Sequence, residues 1–309
     1  MHSFLGSTKP EPGATRVLVF LVEAWYTFGN EGGSSMANGT KKTQWEKEWK
    51  DLLRKEAKFT QKRKEGPTSV LMQKLDRVVP KKLSGTLNAA FYKAFSIVFE
   101  KGTGIIEKTY NKEKKETDFK VNTYASEISD SRRAAKVFTK QAKSAKGLNL
   151  LISSVEGIGM GIAGSAIPDI PVFIAMVLKS VYEIALSYGY EYRSDEEKIF
   201  ILKIIETAMC DEEEFIHRDA ALNEDIHNIV LNGDRIGEGD WSISKEEQMK
   251  TAAAALSEEM IYTKFVQGFF LVGMVGGVFD PIYVNRISDY AVLKYRRRFL
   301  EGKLSEGKL

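Results

Sequence analysis

Apolar positions recur three and four residues apart through most of this chain, and no run alternates apolar and polar residues over the length of a strand. The pattern predicts an all-α protein, a single multi-helix domain of about ten helices. Lys41 to Lys64 reads as a charged amphipathic helix with Trp45, Trp49, Leu52, Leu53 and Phe59 on its apolar side. Thr68 to Val79 makes a short helix closed by Pro80, and Ser84 to Glu100 a longer one with Leu87, Ala90, Phe91, Ala94, Phe95 and Val98 on one face. Lys112 to Lys115 reads as a charged connector before an amphipathic helix over Ser126 to Lys143. Ser194 before Asp195-Glu196-Glu197, and Ser244 before Glu246 and Glu247, are helix starts with acids at the positive dipole end. Asn223 to Trp241 is the loop-rich exception.

The most apolar segments break this amphipathic rhythm. Gly147 to Tyr190 is interrupted at Ile167-Pro168-Asp169-Ile170-Pro171, and Gly268 to Tyr295 at Phe279-Asp280-Pro281. Each reads as a helical hairpin bent at proline, and the fold is expected to form around the two. Gly157, Gly161 and Gly164 in the first, with Gly273, Gly276 and Gly277 in the second, strip one helix face of side chains so that another backbone can approach. Neither arm of the first offers the about 20 uncharged residues that a span requires. Lys179 and Glu183 interrupt one arm and Glu156 the other. A buried core hairpin and a shallow membrane insertion therefore remain as alternatives. Insertion would set Phe265, Phe269 and Phe270 against lipid and Arg296, Arg297 and Arg298 among headgroups. Trp45 and Trp49 likewise read either as core or as an interfacial stripe.

Charge sharpens the choice. Lys41 to Lys146 carries 27 Lys and Arg against 13 Asp and Glu, whereas Gly189 to Tyr262 carries 7 against 19. That segregation suits a basic face on anionic lipid, or two segments that pair with each other. The single cysteine, Cys210, favours a reducing compartment. Met1 to Ser35 reads as a leader or flexible linker, with Met36 to Leu309 as the helical domain.

Candidate chemistry is sparse. Asp169 and Asp280 sit at the two proline breaks, where they would cap helix starts or converge as a buried acid pair. His217, Asp219, Asp225 and His227 offer nitrogen and oxygen ligands, at a spacing that matches no zinc pattern. Gly159-x-Gly161-x-x-Gly164 has the letters of a dinucleotide loop without its βαβ setting, and no phosphate loop or Gly-x-Ser-x-Gly elbow occurs. No cofactor, resident metal or nucleic-acid partner is expected.

The run Gly157 to Gly164, Pro168-Asp169-Ile170-Pro171, Ser187-Tyr188-Gly189-Tyr190, the acidic start Ser194 to Phe200, and Val272-Gly273-Met274-Val275-Gly276-Gly277 through Tyr295-Arg296-Arg297-Arg298-Phe299-Leu300 together resemble the EcsC family of bacterial proteins. The resemblance covers nearly all of Met36 to Leu300. That family has largely undefined activities, and it is named for a member encoded beside an ABC exporter. The resemblance thus implies an envelope-associated setting and transfers no catalytic residue. The expectation is a cytoplasmic protein peripheral to the inner face of the membrane, binding anionic lipid or docking on a membrane component such as a transporter. The alternative is a hydrolase acting on a lipid or envelope substrate.

Overall fold

The computed structural model describes residues 43–64, 81–129, 131–145, 169–233, 235–236, 241–266 and 281–306. Among these the only regular structure is helical. The helices are α1 (Gln44–Lys64), α2 (Lys81–Ile97), α3 (Thr103–Glu107), α4 (Lys112–Ile128), α5 (Arg132–Ser144), α6 (Asp169–Ser187), α7 (Asp195–Met209), α8 (Glu212–Leu231), α9 (Lys245–Val266) and α10 (Pro281–Glu306), with a π-helical turn at Val98–Gly102 joining α2 to α3. They belong to one compact unit, Thr43–Leu309.

Short polar side chains fix where these helices begin. Asn111, Ser131, Ser194 and Asp211 each accept a hydrogen bond from the backbone N–H three residues on, which satisfies a donor the helix leaves open. Thr43 with Glu46, and Ser244 with Glu247, form reciprocal capping boxes for α1 and α9. The starts read at Ser194 and Ser244 are therefore present.

Three readings are corrected. The charged connector at Lys112 to Lys115 is the first turn of α4, supported by Lys112–Glu116 and Lys114–Asp118 pairs one turn apart. The helix expected over Ser126 to Lys143 is two, because Ser131 caps a fresh start at α5. The first part of the loop-rich stretch is helical, since α8 runs on to Leu231.

Two helices form the centre. α10 packs on α1, α5, α6, α7 and α8, while α6 packs on α2, α3, α4, α5 and α10. They meet at a buried hydrogen bond of 2.7 Å between the Ser180 and Ser288 hydroxyls. α7 and α9 form the most extensive helix pair, and α9 covers α2. α4 and α5 pack on one another and on α6, forming an outer layer over it. Phe119, Phe138 and Phe299 join α4, α5 and α10 through ring contacts of 4.7–6.3 Å.

Candidate functional site

Because neighbours surround α10, its charged residues cannot all reach water, and the fold supplies each with a partner. Lys294, fully buried, donates to Asp219 at 2.7 Å, to Asn223 at 2.7 Å and to Glu56 at 3.3 Å. Arg296 donates to the carboxylates of Glu48 at 2.6 Å and Asp51 at 3.0 Å, and to the Glu48 carbonyl at 3.1 Å. Arg297 forks onto Glu56 at 3.0 and 2.5 Å and reaches Glu301 at 3.2 Å. Arg298 bonds Glu197 at 2.8 Å and lies 4.0 Å over the Tyr190 ring, while the Tyr295 hydroxyl donates to the same Glu197 at 2.7 Å. The result is a polar seam of α1, α7, α8 and α10.

This seam corrects the expectation that Arg296, Arg297 and Arg298 meet headgroups. They are 2%, 7% and 3% exposed, each held by an internal carboxylate. The tryptophans also face inward: Trp45 lies 5.8 Å from the Phe299 ring, and Trp49 is buried with Arg297 5.0 Å over its ring. Their stripe is core, the first of its two readings. Phe265 is in the last turn of α9. Phe269, Phe270, Asp280 and the glycines Gly157, Gly161, Gly164, Gly273, Gly276 and Gly277 lie outside the described residues, and Asp169 is the first residue of α6.

The four ligand candidates on α8 are separated. Asp219 accepts from Tyr290 at 2.7 Å as well as from Lys294, Asp225 pairs with Lys203 at 2.7 Å, His227 Nδ1 stands 3.5 Å from Glu301, and His217 is exposed. Among the described residues no three His, Cys, Asp or Glu side chains converge on a metal site. The Cys210 thiol is buried, and burial pushes it up to about 12, so it holds no thiolate near neutrality.

Acid should loosen the seam. Burial alone would raise the Asp219 carboxyl, but the Lys294 charge and hydrogen bonds from Lys294 and Tyr290 outweigh it and hold the group below its ordinary value. At Asp51 burial is likewise outweighed by hydrogen bonds from Lys55 and Arg296. Groups lowered on folding contribute stability above their unfolded pKa and lose it as pH falls through the folded one. Glu301 is raised, chiefly by burial, so its contribution has the opposite sign and fades as pH rises. With two seam carboxylates lowered and one raised, the urea midpoint should hold from about pH 7 to pH 5 and fall below about pH 4. An Asp219→Asn variant should be weaker at neutral pH and show a shallower acid slope; an unchanged slope would contradict the assignment.

A second polar group flanks α6. Glu183 binds Lys179 on its own helix and Lys115 of α4 at 2.9 Å. Nearby, Tyr192 stacks on Tyr182 at 3.9 Å, hydrogen-bonds Tyr110, and donates to Glu107 at 2.7 Å, which also takes Arg193 at 2.6 Å. An open surface depression adjoins this group, lined by Lys108 to Glu113. α6 is long and apolar enough to cross a bilayer, yet 94% of its window Ile170–Ser187 is buried within the protein. Its two charges are paired inside the fold.

Outward, the chemistry changes. In α5, Ala135, Phe138 and Ala142 face the core, which leaves Arg133, Lys136, Lys140 and Lys143 on the opposite, exposed side. None of these four cations has an ion-pair partner among the described residues, in contrast to Arg132, which binds Glu48 at 3.1 Å. On α4, Val121, Tyr124 and Ile128 stand exposed. The sequence reading missed both stripes, although the Ala135, Phe138, Ala142 spacing signals the first.

A profile of the EcsC protein family matches residues 43–300. The chain belongs to the EcsC protein family. Family membership thus spans α1 through nearly all of α10, including the four cations of the buried seam. The chain is also similar to the uncharacterized protein YdbA of Bacillus subtilis (strain 168), 24% identical over 157 residues, which cover 50% of this chain and 55% of YdbA. The match spans about half the length of that relative. No solved structure matches this EcsC chain.

Proposed function

We propose that this EcsC-family chain is a non-catalytic helical protein, cytoplasmic and peripheral to the inner face of the membrane, that docks on anionic lipid. The observation that carries the reading is the exposed cation stripe Arg133, Lys136, Lys140 and Lys143, which forms part of the strongly basic segment Lys41 to Lys146. Long basic side chains without acidic partners are available to phosphate headgroups, and each contributes about 1 kcal/mol near an anionic leaflet. Further in, the two glycine-rich hairpins form the packed centre, with α6 and α10 as their second arms. Their contact through Ser180 and Ser288 supports that arrangement.

Vesicle sedimentation tests the reading. The protein should pellet with vesicles containing phosphatidylglycerol, much less with neutral vesicles, and less as salt rises. Lys136→Glu with Lys140→Glu should lower anionic-vesicle affinity by at least about tenfold. Equal absence of binding to both vesicle types would overturn the proposal, and binding indifferent to charge reversal would remove its electrostatic basis. A transporter partner would show instead as membrane recovery that depends on that partner's expression.

A further inference from the structure

Six large apolar side chains stand exposed among the described residues, and three of them, Val121 (60%), Tyr124 (66%) and Ile128 (69%), belong to α4. Their spacing of three and four places them on one stripe of that helix, opposite Phe119 and Ser126, which pack inward. α4 and α5 pack on α6 and on one another, and the outward stripe of each is exposed. An exposed apolar stripe on α4 and an exposed cation stripe on α5 thus lie on two helices that pack against one another. Lys120 is exposed on α4 one residue before Val121, and no acid pairs with it among the described residues. Asp118 is engaged by Lys114 at 2.8 Å, leaving Glu127 as the exposed acid in the last two turns of α4.

We propose that Val121, Tyr124 and Ile128 are an insertion edge that enters the acyl boundary of an anionic bilayer while Lys120 and the α5 cations remain among the headgroups. The inference rests on the membrane-docking reading and adds where and how the protein engages lipid. Charge complementarity selects the occupant. Apolar residues bordered by cations on flexible stems match a surface whose outer layer is anionic and whose next layer is hydrocarbon. Tyr124 suits the boundary, with an apolar ring and a polar end. With Phe119 and Ser126 packed inward and Val121, Tyr124 and Ile128 outward, α4 would lie in the plane of the interface as an amphipathic helix does.

The test compares the wild type with a Val121→Ser, Tyr124→Ser, Ile128→Ser variant, shown to be folded by an unchanged thermal midpoint. On phosphatidylglycerol vesicles the wild type should retain salt-resistant binding, and the variant should bind at least about tenfold more weakly. An environment-sensitive dye on Ile128→Cys should shift to the blue on those vesicles, while the same dye on Lys250→Cys of α9 should not. Undiminished binding by the triple variant, or a silent dye at position 128 while the protein pellets, would overturn insertion and leave electrostatic docking standing. Failure of the wild type to bind at all would overturn both. A dimer in sedimentation equilibrium that the triple variant abolishes would assign this face to a second copy of the chain and overturn the lipid proposal.

Discussion

Replacement of Arg296 by alanine should lower the unfolding free energy by about 3–5 kcal/mol, because removing one partner of a buried ion pair leaves the other charge without compensation. The side chain is 2% exposed and serves two carboxylates, Glu48 at 2.6 Å and Asp51 at 3.0 Å. Glu48 is itself 1% exposed, so it cannot recover solvation by turning outward. Its remaining cation would be Arg132, at 3.1 Å from the other carboxylate oxygen. Asp51 would suffer less, since Lys55 also binds it. Removing both charges should therefore cost less than removing one: Arg296→Met with Glu48→Leu should recover part of the loss, as apolar replacements of buried pairs do. Urea unfolding followed by far-UV circular dichroism at neutral pH reads both. A single variant within about 1 kcal/mol of wild type would contradict the buried pairing. The headgroup role expected from sequence makes the opposite prediction, weaker vesicle binding with stability intact.

That contrast shows where sequence was legible. Helix starts were, because a cap and its acids are local: Ser194 and Ser244 bond the backbone of their own first turns. The Lys112 to Lys115 run misled, since a charge run has no apolar period, and its helical support comes from ion pairs one turn apart. Tyr295 to Leu300 misled for a different reason. Three consecutive arginines cannot share one helix face, so they look like surface unless the helix is enclosed all round. Only the packing of α1, α5, α6, α7 and α8 around α10 makes them interior, and their acids come from Glu48, Asp51 and Glu56 far back in the chain and from Glu197. No local pattern announces such partners.

The two charge-rich segments are reconciled in a similar way. Acids of the basic segment, Glu48, Asp51 and Glu56, neutralise the C-terminal helix, while Lys112 reaches Glu191 at 2.6 Å and Lys115 reaches Glu183 at 2.9 Å. Pairing between the two segments is seen at Lys112 and Glu191, whereas the lipid-facing reading belongs to the proposal. Inward-facing charges pair across the fold, and outward-facing cations on α5 stay available. The membrane proposal rests on that remainder, not on net charge.

A single methyl group at position 189 should destabilise the protein by about 3 kcal/mol or more, from backbone strain and overpacking together. Gly189 ends α6 in a Schellman arrangement: its N–H bonds the Leu186 carbonyl at 3.1 Å, and the Tyr190 N–H bonds the Ala185 carbonyl at 3.0 Å. The turn requires φ +86°, where a side chain costs about 1–2 kcal/mol. In addition, a Cβ there would stand 2.3 Å from Cζ of Phe119. That ring cannot retreat freely, since it packs on Phe138 at 5.7 Å and on Phe299 at 6.3 Å. Gly233 supplies the control, with φ +75° and open space around the position. Gly233→Ala should therefore show the backbone cost alone, about 1 kcal/mol, whereas Gly189→Ala should lower the thermal midpoint by about 6–12 °C. Placing Gly189→Ala in a Phe119→Ala background should remove the steric part of the penalty. Equal losses for the two alanine variants would show that Phe119 does not crowd the cap, and the packing of α4 against the end of α6 would need redrawing.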